Sequence, residues 1–152
     1  MPPSRRERPL TKFTIRRAGR SDLPALAAVD PRLESDPVRA GTVAGLLDAG
    51  LSWVAESEGR AVGYVIATTH FFARPFIDLV VVAEDRRRQG IGTALMAACE
   101  AAHDDDRTFT STNESNAPMR ALLAAAGYQV SGVIENLDPG DPELVFVKFK
   151  AM

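Results

Sequence analysis

Apolar positions change their spacing several times along the chain, and each change predicts an element. Phe13 and Ile15 flank Thr14, the period-two pattern of a short first strand. Ser21 stands as an N-cap before Asp22-Leu23-Pro24, with Leu26 and Val29 supplying the apolar face of a helix. Asp36-Pro37 is a second start signal, because proline's missing N–H is tolerated in a first helical turn. Val43, Leu46 and Leu47 continue it at helical spacing until Gly50. The period then shortens. Leu51 to Ala55 and Ala61 to Thr69 read as strands joined at Ser57-Glu58-Gly59-Arg60, a hairpin signal. Phe76 to Val82 is a nearly continuous apolar run, as in a strand covered on both faces. From Gly90 the helical period returns, with Ile91, Leu95, Ala98 and Ala102 on one side. Thr108 to Thr112 is a strand, and Ala117 to Ala126 a helix closed by Gly127. Gln129 to Ile134 and Leu144 to Phe149 are strands on either side of a turn-rich stretch, residues 136–142. The expected order is β-α-α-β-β-β-α-β-α-β-β: an α/β fold with a mixed sheet and helices on both faces.

Composition narrows the class. Residues 1–10 are rich in Pro and Arg without a period, and are expected to form a flexible N-terminal arm, leaving 11–152 as a single domain. Their basic start has no apolar stretch behind it, unlike a secretory signal. No apolar run reaches the roughly 18 residues of a membrane span. One cysteine, Cys99, cannot pair within the chain, and no soft ligands cluster around it. The expectation is a reducing, cytoplasmic setting with no metal site. With 18 basic against 20 acidic residues, net −2, a general affinity for nucleic acid is not expected.

The stretch that carries chemistry runs from Asp78 to Thr93. An apolar strand is followed by Arg86, Arg87 and Arg88, then glycines at 90 and 92, then a helix. Glycine lets backbone approach a ligand closely. A helix start leaves about four unpaired N–H groups and a partial positive charge of roughly half a unit. With the arginines beside them, these donors suit a phosphate or pyrophosphate; the alternative is a plain tight turn with solvated arginines. The two commonest nucleotide patterns do not fit: no lysine follows the second glycine, and Leu95 stands where a dinucleotide fingerprint needs a third glycine.

Arg87-Arg88-Gln89-Gly90-Ile91-Gly92 resembles the phosphate-binding motif of the GNAT acyltransferase superfamily: Arg or Gln, two residues, Gly, one residue, Gly or Ala. Ile15 to Pro24 resembles that family's first strand and helix, Ala61 to Val65 its third strand, and Asn116 through Gly127-Tyr128 its late Asn, helix and Gly-aromatic signature. The resemblance implies the GNAT fold, with a mostly antiparallel sheet splayed between the fourth and fifth strands. It also implies an acetyl-CoA-dependent N-acetyltransferase, the acetyl group moving to a primary amine by direct attack in a ternary complex. Acetyl-CoA, as acyl-donor co-substrate, would place its pyrophosphate on the amides and side chains of Arg87, Arg88, Gln89, Gly90, Ile91, Gly92 and Thr93. Its pantetheine arm would pair along Leu79, Val80, Val81 and Val82, with an N–H near Val81 or Val82 steadying the oxyanion, a contribution of ~3–4 kcal/mol. Asn113 and Asn116 would touch that arm, although Asn116 before Ala117-Pro118 reads equally well as an N-cap.

Asp78, a carboxylate inside an apolar strand, is the first candidate base, since burial raises a carboxyl pKa toward a useful range. Glu143 and Asp141 are second candidates, as base or as binders of a cationic amine; His70 is a weaker one. The family's usual acid is a tyrosine seven residues after the late Asn. Here that position is Leu123, so Tyr128, Tyr64 or water would have to substitute. Phe71, Phe72 and Phe76 are candidates for an acceptor pocket or for core. Acidic residues between Glu135 and Glu143 favour a cationic small-molecule or peptide amine acceptor. Two other readings stand: a non-catalytic acyl-CoA-binding regulatory module, and a transferase for a longer acyl group. A homodimer is left open.

Overall fold

The structure, a computed structural model, describes residues 12–151, so the arm expected over residues 1–10 lies outside it. Seven strands form one sheet: β1 (Thr14–Arg17), β2 (Trp53–Ser57), β3 (Arg60–Phe71), β4 (Arg74–Val82), β5 (Arg107–Asn113), β6 (Gln129–Ile134) and β7 (Glu143–Phe149). Their spatial order is β1-β2-β3-β4-β5-β7-β6. All neighbours are antiparallel except β4 and β5. Helices α1 (Leu23–Val29), α2 (Arg32–Ser35) and α3 (Pro37–Leu47) cover one face, packing Leu26, Val43 and Leu47 on Val54, Tyr64 and Ile66. Helices α4 (Ile91–Ala101) and α5 (Ala117–Ala125) cover the other, packing Ile91, Leu95 and Leu123 on Val62, Val65 and Phe146. Among the described residues, no helix is long and apolar enough to cross a membrane.

Local chemistry accounts for most joints. Asp36 caps α3 by accepting from the N–H groups of Val38 and Arg39, with Pro37 in the first turn. Glu58 and Gly59 both take positive φ (53° and 76°), the two-residue turn that suits the twist of a hairpin. Two expectations need correction. Ser21 does not cap the first helix; it lies in a short 3-10 turn, and the Asp22 carboxylate accepts from Gly19 N–H and pairs with Arg16 instead. Helix α2 adds a turn that the apolar spacing did not announce.

Two irregularities position the site. Ile66 pairs with Leu79 and Ala67 with Ile77, so Asp78 has no partner on β3 and forms a bulge. The parallel contact between β4 and β5 is confined to Phe76↔Phe109 and Ile77↔Thr110, with the Thr110 hydroxyl donating to Ile77 O at 2.9 Å. Beyond that point the strands part, giving the splay expected between the fourth and fifth strands.

Candidate active site

The loop after β4 is held from below and left open above. Arg86 is buried and donates to Ser57 Oγ and to Glu58, each at 3.4 Å, which fixes the turn to the β2–β3 hairpin. Arg88 and Gly90 then take left-handed φ values of 65° and 82°. At Gly90 an L side chain is strained, yet a Cβ there would meet only open space. At Gly92 a Cβ would press on Leu122 at 3.1 Å, so this glycine serves close packing of α4 on α5. Gly63 does the same beneath the helix start, where a Cβ would lie 2.9 Å from Ile91. Helix α4 has no side-chain cap, and Ala94 is the first residue to bond back, to Gly90 O. Among the described residues, none of the amides of residues 87–93 donates a main-chain hydrogen bond outside the regular elements. Unpaired N–H groups at a helix N-terminus, with Arg87 and Arg88 exposed beside them, form an anion site.

That loop closes one end of a cleft of about 1070 Å³ running through the split in the sheet. Residues 77–82 of β4 form one wall, and Thr110, Ser111 and Thr112 of β5 with Met119 and Leu122 of α5 the other. Leu79 and Val81 belong to the α1–α3 side and Val80 and Val82 to the α4–α5 side, so the cleft opens on both faces. Asp78 lines the cleft and reaches solvent. Crowding by the walls strips part of its hydration and raises its carboxyl above the ordinary value, against a Thr68 hydrogen bond and the charge of His70 that lower it.

Residues 22–128 match the acetyltransferase (GNAT) family. The chain belongs to that family. Its backbone superposes on a GNAT-family acetyltransferase from Bacillus cereus with a TM-score of 0.85, at 28% identity over 93% of this chain and 99% of that one. The ribosomal-protein-S18-alanine N-acetyltransferase of Escherichia coli shares the fold at a TM-score of 0.77 (21% identity, 93% and 96% covered). Diaminobutyrate acetyltransferase from Paenibacillus lautus, solved with L-2,4-diaminobutyric acid and coenzyme A, does so at 0.69 (23% identity, 90% and 95% covered). No curated protein matches the sequence.

In this GNAT acetyltransferase the α1–α3 mouth of the cleft holds a group that sequence reasoning missed. Asp30, only 3% exposed, accepts from the Tyr64 hydroxyl at 2.6 Å and from Arg39 Nε at 2.8 Å. Burial pushes its carboxyl up, but the Tyr64 and Arg39 bonds and the Arg39 charge outweigh that and leave it below the ordinary value. Arg32 and Arg39 line the cleft beside it. Nothing in the sequence joins residues 30, 39 and 64; their meeting depends on how α1 and α3 dock on β3.

Several expected site residues are placed elsewhere. Tyr128 is buried under α4, its hydroxyl donating to Glu100 at 2.9 Å, and burial raises its pKa; it does not line the cleft. Tyr64 is committed to Asp30 and likewise raised by burial. Leu123 is fully buried in the core. Glu143 lies on β7, across β5 from the split; burial first, then Asp138, raise its carboxyl. Asn113 donates to Asp138 and to the carbonyl of Asp141, tying down the β6–β7 connection, and does not reach the cleft. Asn116 does line the cleft while capping α5 through Met119 N–H. Gln89 is exposed and outside the lining. Phe71 packs on Phe72, Phe76 and Phe109 at centroid distances of 5.0–5.1 Å around the β3–β4 turn, and Phe71, Phe72 and Phe76 are outside the cleft lining. Cys99 is buried, which pushes its thiol up to about 12, the reverse of an activated nucleophile.

Proposed function

We propose that this GNAT acetyltransferase uses acetyl-CoA to acetylate a primary amine by direct attack within a ternary complex. The observation carrying the reading is the coincidence of the orphan helix-start amides at residues 90–93 with a split whose β4 wall lacks a neighbouring strand beyond Ile77. When bound, acetyl-CoA supplies an activated acetyl thioester. The amides of Gly90 to Thr93, with Arg87 and Arg88, hold its pyrophosphate; main-chain groups of Leu79 to Val82 pair with its extended arm. A neighbour of the same fold is solved with coenzyme A, which supports the assignment.

Asp78 takes the amine proton. A lysine-like amine has a pKa of ~10.4, so its deprotonation near neutrality costs about 4 kcal/mol. A partly desolvated carboxylate that stands at the bulge and lines the cleft suits that role. The C–N bond forms, the C–S bond breaks, and the electron pair departs on sulfur while a Val81 or Val82 N–H steadies the developing oxyanion. With Tyr64 and Tyr128 committed elsewhere, the thiolate takes its proton from water; a thiol of pKa ~8.5 is a tolerable leaving group unassisted. The single buried Cys99 fits a reducing cytoplasmic setting.

Calorimetric titration of acetyl-CoA, followed by thiol release with an amine panel, tests the reading. Binding with release supports it. Tight binding with no release on any amine points to the non-catalytic module, and absence of heat with folded protein removes the coenzyme assignment.

A further inference from the structure

The proposed reaction leaves the arginines at the α1–α3 mouth without a role, and the inference drawn from them rests on that reaction. Among the described residues the cleft lining carries five arginines and one carboxylate, Asp78. Arg86 is committed to the β2–β3 hairpin, and Arg87 and Arg88 stand at the loop on the α4 side. Arg32 and Arg39 line the cleft on the opposite, α1–α3 face, the side left for the acceptor once the donor occupies the loop. One buried carboxylate, Asp30, serves both, and it cannot satisfy them. Arg39 Nε donates to Asp30 Oδ2, which also takes the Tyr64 hydroxyl. Arg39 Nη2 is 2.8 Å from the same oxygen but off the line of a hydrogen bond, and it is buried with no acceptor among the described residues. Arg32 Nε lies 3.9 Å from Asp30 Oδ1, and its side chain is 72% exposed. Two guanidinium groups against one carboxylate leave a net positive wall with unsatisfied donors.

None of the acidic residues expected to greet a cationic acceptor, Glu135, Asp138, Asp141 and Glu143, lines the cleft. Asp138 accepts from Asn113, Asp141 from Ser115, and Glu143 lies across β5. A planar carboxylate offers two oxygens to the forked donors of Arg32, whose side chain is exposed, with the Arg39 charge behind them held by Asp30. We propose that the acceptor is an amino-carboxylate of the amino acid class: Arg32 and Arg39 hold its carboxylate, and its amine is thereby presented to Asp78.

Thiol release from acetyl-CoA is measured with the standard amino acids and, in parallel, with their carboxamides, alongside calorimetric titration of acetyl-CoA. At least one free acid is expected to show kcat/KM about tenfold above its amide, the worth of a charge-assisted bond. Equal values, or a preference for the amide, overturn the proposal. Arg32→Gln is expected to raise KM for that acid about tenfold with acetyl-CoA affinity unchanged. A weakened acetyl-CoA affinity with unchanged acid KM assigns Arg32 to a donor phosphate and overturns it. Arg39→Lys keeps a charge beside Asp30, guarding the fold, and is expected to move acid KM in the same direction. Transfer to neither set overturns the proposal, and the titration separates causes: heat with acetyl-CoA means that only the acceptor class is wrong, no heat that acyl transfer is wrong as well.

Discussion

Residues 86–93, on one side of the split sheet, are contiguous and shaped by a short turn and a helix start, whereas the wall of Asp30, Arg39 and Tyr64 on the other joins residues up to 34 positions apart. The first presents main-chain donors, which any sequence with the right glycines can supply. The second presents side chains, each oriented by the others. A site of main-chain donors is indifferent to most substitutions around it and suits a ligand part that does not vary. A site of interlocked side chains changes character with one residue, and suits the part that does.

Substitutions at the two mouths should therefore separate cleanly. The largest effect is expected for Asp30→Ala, which strands the Arg39 charge and the Tyr64 hydroxyl in the interior and should cost about 3–4 kcal/mol of stability, read by denaturant unfolding. Because the folded-state pKa of Asp30 is lowered, its contribution is present above the unfolded value of ~3.9 and is lost as pH falls through the folded one. Wild type should accordingly lose stability below pH ~4 more steeply than the variant. Next comes Gly90→Val, which forces a branched residue to a φ of 82° and fills the space in front of the amides. Acetyl-CoA affinity should fall roughly 200-fold by calorimetry, the loss of about two charge-assisted bonds, while unfolding shows the acceptor wall intact.

Asp78→Asn should lower kcat/KM about 100-fold near neutrality, the deficit shrinking at alkaline pH where the amine deprotonates unaided. A mutant-to-wild-type ratio that stays flat across pH counts against the base role. The same substitution should not destabilise: a carboxyl whose folded pKa is raised lowers stability once pH exceeds its unfolded value, and Asn removes that liability. The smallest effect concerns the β3–β4 turn, where Phe72 and Ala73 both hold positive φ (53° and 62°). Ala73→Gly should add about 1 kcal/mol, visible as a raised Tm with activity unchanged.

What the sequence announced follows from these distinctions. Elements set by local period and by Pro, Gly and Asp signals were legible: α3 behind Asp36-Pro37, the Glu58-Gly59 hairpin, and the loop at Gly90. The turn at Phe72-Ala73 was not, because neither residue is a usual carrier of left-handed backbone, and the register of β3 on β4 imposes it. Asp78 was legible as a carboxylate in an apolar strand, but its bulge and its place in the cleft lining depend on the register of β4 on β3. Tyr128 and Asn113 misled for a shared reason: a polar side chain near a motif had nearer partners, Glu100 and Asp138, that chain order does not reveal. Arg39 gave no signal, since an arginine on a short helix reads as solvated until Asp30 is seen beneath it.

The seam between β4 and β5, two residue pairs and one threonine hydroxyl, leaves β1–β4 and β5–β7 as two half-sheets hinged at one end. An extended chain slid into the open end would turn them into one continuous eight-stranded ladder. The guest would add to the cohesion that the shared core under α4 and α5 already gives the halves, so amide protons on β5 should exchange more slowly whenever the wedge is filled, even at positions that the guest never touches.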